Sequence, residues 1–222
     1  MCVWGCCLQG ENEEKEDETV PFSKTAQVPK QVKVLKKGEK IVLKYVNVKE
    51  YDERFDEIAE LYNNQMENYM TMKKSLFELN EVNNSSNLTD CMEKIKKKYN
   101  NYDIQIQMKG YNFTLLVKPT EDIPDNLQES QELMKELSRA TKVLISSQTK
   151  LGGMVFSMDQ IQEEIDKKIK EVNTGYLDQK RLVENLKENM KNIDIVKQWS
   201  MEYEEEASEV LKEIAHIAGV TI

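Results

Sequence analysis

The chain has 222 residues and a formal net charge of −9, with 31 Lys and Arg against 40 Asp and Glu. Hydrophobic residues make up 39% and charged residues 32%, with only eight glycines and four prolines, which is the profile of long solvent-washed helices and not of a closely packed enzyme. A pI near 5.0 argues against generic nucleic-acid binding.

The first 30 residues lack periodic apolar content and carry Pro21 and Pro29. They read as a disordered, acidic, cysteine-containing tail. Cys2, Cys6 and Cys7 cluster at its start beside Trp4 and Leu8. Position 2 is Cys and not Gly, which excludes N-myristoylation and leaves S-acylation of these three thiols as the reading. Each buried CH2 of an acyl chain contributes about 0.8 kcal/mol to membrane binding. The run Glu11, Glu13, Glu14, Glu16, Asp17 and Glu18 against Lys15 opposes it on an anionic leaflet. The run ahead of the acidic stretch is too short for a secretory signal, so the sequons at Asn83, Asn84, Asn87 and Asn112 read as chance products of an Asn-rich chain.

Residues 31–48 form a lysine-rich segment. From Lys24 through Lys30, Lys33, Lys36, Lys37 and Lys40 to Lys44, the lysines face Glu39 alone. Such a stretch is a second membrane signal, each Lys contributing about 1 kcal/mol near anionic lipid. The β-branched run from Ile41 to Val48 and the turn at Lys37-Gly38-Glu39 predict a short hairpin pairing 32–36 with 41–46.

Helical segment 49–122 starts with Asn47 as N-cap and Glu50 three residues on, in the manner of a capping box. Its stripe is Tyr51, Phe55, Ile58, Tyr62, Gln65, Tyr69, Met72, Leu76 and Leu79, with steps alternating between four and three. The mean step of about 3.5 residues is that of a coiled-coil seam. Asn83 to Asn87 ends it, and a short helix from about Leu88 to Tyr99 comes next. Ile104, Ile106 and Met108, then Tyr111, Phe113, Leu115 and Val117, alternate around Gly110, predicting a β-hairpin over about 103–118. A hairpin alone is marginal in water, so it must pack on a helix or add to another sheet.

Region 123–222 reads as helical throughout. Asp125 and Gln128 start a helix that Gly152-Gly153 is expected to break. Ser157 to Gln160 reads as a capping box for a last seam from Met158 to Ile217, which includes Tyr176, Val183, Leu186, Ile193 and Val196. The seam is weakest at Asn173-Thr174-Gly175, a kink or a helix–turn–helix corner.

The chemistry-bearing groups are few. Arg54, Arg139 and Arg181 are the three arginines and His216 the single histidine. No cysteine pair has the spacing of a zinc knuckle. Cys91 and His216 have nothing in the sequence to bring them together, and Cys91 stands beside Asp90, which does not activate a thiol. Met66, Met70 and Met72 suit either an adaptable face or a bundle seam. Val220 and Ile222 fit the apolar-x-apolar ending that PDZ domains take by strand addition. The expected fold is mainly α, with long coiled-coil-like helices and one hairpin. The expected function is a non-enzymatic interaction or adaptor protein, with no cofactor, small-molecule substrate or nucleic-acid partner. Its partners would be coiled-coil proteins or a second copy, and a cytoplasmic membrane face would hold the tail. The alternative is a soluble subunit of a larger coiled-coil assembly.

Overall fold

The computed structural model describes residues 35–221. It is mainly helical, in the order α1 (Lys49–Asn83), α2 (Leu88–Lys98), β1 (Asp103–Lys109), β2 (Asn112–Lys118), α3 (Asp125–Glu171) and α4 (Tyr176–Ala218). α1, α3 and α4 lie side by side. Tyr51 of α1 bonds Glu164 and Asn83 bonds Ser130, so α1 and α3 run antiparallel. Gln148 of α3 meets Ser200 of α4, while Tyr62 and Tyr69 of α1 meet Tyr203 and Glu206, so α4 runs with α1 and against α3. Both expected seams are buried against other helices of the same chain: Phe55, Ile58, Tyr62, Met72 and Leu79 on α1, and Leu186, Ile193, Val196 and Tyr203 on α4. Removal of these side chains from water drives the association, each fully buried Leu, Ile or Phe contributing about 1.5–3 kcal/mol.

The predicted break at Gly152-Gly153 does not occur: α3 runs through both. Leu151, Val155 and Met158 continue one buried face on either side. Burying that face outweighs the roughly 1 kcal/mol that each mid-helix glycine costs. Ser157 is likewise not a cap, since its hydroxyl donates 2.8 Å back to the Met154 carbonyl inside the helix. The chain turns instead at 172–175, where Val172 leaves helical backbone and Gly175 becomes the N-cap of α4. Tyr176 consequently points outward at the corner, and Leu182, not Val183, is the fully buried residue of the first turns of α4.

The start of α1 also differs from the expectation. Its N-cap is Val48, and Asn47 adopts a left-handed backbone. The acceptor Asp52 takes the Val46 amide at 2.7 Å, so the entry is tied one turn into the helix instead of by a capping box. At the other end, Asn84 is left-handed, and Ser85 N–H bonds the Asn80 carbonyl while Asn84 N–H bonds that of Glu81, which satisfies two orphan carbonyls.

The hairpin β1–β2 stands as expected, Ile104 facing Val117, Ile106 facing Leu115 and Met108 facing Phe113. Tyr111 is not part of the alternation; it sits exposed in the turn with Gly110 at φ 58°. The apolar face packs on α3 and α4. Phe113 N–H donates to Ser138 Oγ at 2.8 Å and the Leu115 carbonyl accepts from Gln131 Nε2 at 3.0 Å, so α3 closes the outer edge of β2.

The hairpin expected over 32–36 and 41–46 is absent from the described part: residues 40–46 form no strand. Lys36 to Glu39 does turn, with Glu39 N–H on the Lys36 carbonyl at 3.1 Å and Gly38 at φ 87°. Beyond this turn the chain runs as an extended strap. Ile41, Leu43 and Val46 are buried and Val42 and Tyr45 exposed, so the β-like pattern is real, but its neighbours are helices. Residues 32–34 of the expected hairpin lie outside the described residues.

Candidate functional site

The most built feature of the described chain is the groove between α1 and α4 in which the strap lies. An extended segment off any sheet must find other partners for its amides. Here asparagines supply them. Asn63 Oδ1 accepts the Ile41 amide at 2.8 Å, and its Nδ2 donates to the Ile41 carbonyl at 3.0 Å. Asn189 does the same for Lys44, at 2.7 Å in each direction. Asn185 Nδ2 adds a bond to the Tyr45 carbonyl at 2.8 Å. Each carboxamide imitates the peptide of a neighbouring strand. Asn189 is fully buried, while the Lys44 it holds lies at the surface.

The lysines of the strap are bound as well. Lys37 meets Glu202 at 2.6 Å, Lys40 meets Glu67 at 2.6 Å, and Lys44 meets Glu188 at 2.5 Å. Lys37 Nζ also lies 5.4 Å from the centre of the Tyr203 ring and 5.7 Å from that of Tyr69, within cation–π range. Tyr69 and Tyr203 stack at 4.1 Å between centroids, Tyr62 stacks on Tyr203 at 6.3 Å, and the Tyr62 and Tyr203 hydroxyls lie 3.4 Å apart. Burial pushes the Tyr62 and Tyr69 phenols far above their ordinary value, reinforced by Tyr203 for the first and Glu206 for the second. Both therefore stay protonated: Tyr69 donates to Glu206, Tyr62 shares a hydrogen bond with Tyr203, and neither serves as an acid–base group. The hydrogen bond from Lys37 holds the Glu202 carboxyl below its ordinary range, and Glu202 raises Lys37 in return.

One turn below, a polar layer crosses the bundle. Ser200 Oγ is 2.7 Å from Gln65 Oε1 and 2.8 Å from Gln148 Oε1, with Gln65 and Ser200 buried and Gln148 half-buried, and Gln65 Nε2 has no partner. One hydroxyl proton serves one acceptor. With the Gln65 amide turned over, Gln65 donates to Ser200 and Ser200 to Gln148, and no donor is orphaned. Gln65 thus occupies a seam position in the way a buried polar residue sets helix register.

The structure places the other candidate residues apart from one another. Cys2, Cys6, Cys7 and Ile222 lie outside the described residues, as do Lys24, Lys30 and Lys33. Val220 is 42% exposed, but its amide donates to the Ala215 carbonyl at 2.9 Å and Gly219 N–H to that of His216 at 3.1 Å, closing α4 with a left-handed glycine. Cys91 is fully buried with its sulfur 3.7 Å from the Leu79 carbonyl, and burial pushes the thiol up, away from reactivity. His216 is exposed and makes no hydrogen bond to Cys91. Met66 and Met72 are buried in the bundle while Met70 faces outward. The solvent-facing clefts between α3 and α4 are lined by Asp159, Glu163 and Asp166 in one place and by Glu204, Glu205 and Glu209 in another. Among the described residues no three His, Cys, Asp or Glu side chains converge as a metal site, and no helix is long and apolar enough to cross a membrane.

No family model, curated protein or solved structure matches this chain. The asparagines that hold the strap are absent from the candidates that sequence reasoning supplies. Their signal lies in position: Asn63 comes directly after the seam residue Tyr62, and Asn189 precedes Met190. Asparagine is unfavourable inside a helix, so two of them beside two apolar stripes point to a backbone that needs amides.

Proposed function

We propose that this chain is a non-enzymatic interaction or adaptor protein, held at a cytoplasmic membrane face by S-acylation of Cys2, Cys6 and Cys7. The observation that supports an adaptor is the α3–α4 corner: Tyr176 and Leu177 are 78% and 80% exposed, side by side at the first turn of α4. Two adjacent apolar side chains at the tip of a rigid helical hairpin suit a partner's apolar pocket. The tail supplies the address and the helical body the docking group. The test is membrane sedimentation of the full chain with and without hydroxylamine, beside a variant with Cys2, Cys6 and Cys7 all replaced by Ser. Loss of the membrane fraction in both treatments is expected. A wild type that stays entirely in the supernatant overturns the anchor. Tyr176→Ser/Leu177→Ser should lose partner recovery with an unchanged melt, and unchanged recovery overturns the docking role of the corner.

A second reading, a soluble subunit of a larger coiled-coil assembly, is favoured by one observation. Lys37, Lys40 and Lys44 are already paired with Glu202, Glu67 and Glu188. Charges neutralised within the chain attract anionic lipid little, and the second membrane signal then rests on the lysines ahead of the strap. Sedimentation insensitive to hydroxylamine, together with co-migration in a large particle, is the outcome of this reading.

A further inference from the structure

The strap is held in its groove as a separate peptide would be. From Lys40 to Val46 its hydrogen bonds and ion pairs go to side chains of the two helices, such as Glu67, Asn63 and Asp52 on α1 and Glu188, Asn189 and Asn185 on α4. It follows α4 backwards, with Lys37 at Glu202 and Tyr45 at Asn185. It follows α1 backwards too, with Lys40 at Glu67 and Val46 at Asp52. The chain therefore reverses between Val46 and the start of α1 at Lys49. Asn47 makes the reversal at φ 61°, and Val48 is already the extended N-cap. Left-handed backbone is unfavourable for a residue with a Cβ, and asparagine is among the few that tolerate it. Ahead of this hinge, no contact that seats the strap requires strap and groove to belong to one chain. Ile41, Leu43 and Val46 are buried by the helices. An empty groove and a free strap would each expose apolar surface and unpaired amides, so the occupant of an opened groove must match the strap itself.

We infer that the strap is an exchangeable arm, which seats in the groove of a second copy when Asn47 opens while that copy returns its own. With Asn47 in ordinary helical or extended backbone, the strap leaves the end of α1 instead of folding back beside it. It then meets a second chain whose α1 starts at the same two-fold axis. Every clasp re-forms between chains. Asn63 and Asn189 hold Ile41 and Lys44 of the other copy, and Glu202, Glu67 and Glu188 hold its Lys37, Lys40 and Lys44. The exchange is reciprocal and closes on itself, so both grooves fill and no fibre grows. Closed monomer and exchanged dimer share the same contacts. They differ by the free energy of association, set against two left-handed asparagines relieved. A short hinge under strain favours such an exchange.

The inference deepens the interaction reading by naming a second copy as one partner. Its test leaves the tail cysteines and the Tyr176–Leu177 corner untouched, so failure here and failure there are separate results. The full chain is used throughout, in reducing buffer. One variant carries Lys37→Glu, Lys40→Glu and Lys44→Glu, which sets like charges between its strap and its own groove. The other carries Glu202→Lys, Glu67→Lys and Glu188→Lys, which does the same from the groove side. Unfolded in urea, mixed and refolded together, they should form a one-to-one dimer by sedimentation equilibrium, because only exchange makes every pair unlike. Either variant refolded by itself should stay monomeric. A chain with both sets of substitutions should melt as wild type does, since its pairs are restored within one chain. The hinge is read in the otherwise unaltered chain. Asn47→Gly removes the penalty of the left-handed turn and Asn47→Val raises it. The dimer Kd should fall from the first to the second by about tenfold per hinge, about a hundredfold for the two, with wild type between. A mixture that refolds as two monomers overturns the inference, and so do hinge variants that dimerise equally.

Discussion

Asn189 shows how much one side chain decides. Its carboxamide bonds both main-chain groups of Lys44 at 2.7 Å and is fully buried. Removing it leaves a donor and an acceptor of the strap without partners, which costs about 1–3 kcal/mol. Asn189→Ala should therefore lower the stability in urea by that amount, and Asn63→Ala by less, since the Asn63 side chain is half-buried and that of Asn189 fully buried. A chemical denaturation series checks both. The Lys37–Glu202 pair carries a pH dependence whose sign is set by its two shifts. Lys37 is raised above its ordinary 10.5, so its contribution is whole below that value and lost as pH rises through the raised one. Glu202 is lowered below its ordinary 4.5, so its contribution is whole above that value and lost as pH falls through the lowered one. The stability gap between wild type and Lys37→Met should be flat between those limits and shrink at both ends. It should not vanish in acid, because Lys37 stays charged over the Tyr69 and Tyr203 rings. Denaturation midpoints of the two chains across pH measure the gap.

At the scale of the element, α3 is 47 residues long and carries Gly152 and Gly153 within it. A straight helix of that length spans about 70 Å. A Cβ placed on either glycine meets nothing within 4 Å. Neither residue is there for a close approach, and the backbone at both is ordinary helix. Gly152→Ala and Gly153→Ala should each stabilise the chain by about 0.5–1 kcal/mol. Thermal melts check this, and a fall in midpoint at either site would mean that the helix needs to bend there. The elements legible in the sequence are those whose signal is local. The hairpin comes from alternation around Gly110, and the end of α1 and the start of the short helix from the polar run Asn83 to Asn87; that Asn84 takes the left-handed turn and Asn87 caps α2 by accepting the Asp90 amide at 2.8 Å is what the structure adds. The strap resembles a strand in sequence because alternation reports a half-buried extended chain and is silent on whether a strand or a pair of asparagines receives its amides.

For the whole molecule, the question is whether the long seams serve partners or the chain itself. Leu186, Ile193 and Val196 are closed against helices of the same chain. Leu186→Asp and Ile193→Asp each put a carboxylate into that core, and a buried unpaired charge costs several kcal/mol unless it protonates. Both should collapse the melting transition and the strong double minimum in circular dichroism. Lys187→Asp and Lys191→Asp lie on the exposed side and should stay within about 0.5 kcal/mol of wild type. Parallel thermal melts of the four variants decide it. Equal melts for inward and outward sites would show that the apolar period is not a core.

The sequence by itself determined the helical class, the hairpin, the heptad spacing of both seams and the weak point at 173–175, because each rests on residues within a few positions of one another. It also marked Cys2, Cys6 and Cys7 as the thiols on which the proposed acylation rests. Only the tertiary structure decided that α3 continues through two glycines, that the strap is clasped by Asn63 and Asn189, that its lysines are paired with helix glutamates, and that the outer edge of β2 is closed by α3. Each of those is settled between residues far apart in the chain, Lys44 and Asn189 being 145 positions apart. A local pattern states that a group needs a partner; the packing of the helices chooses which one it gets.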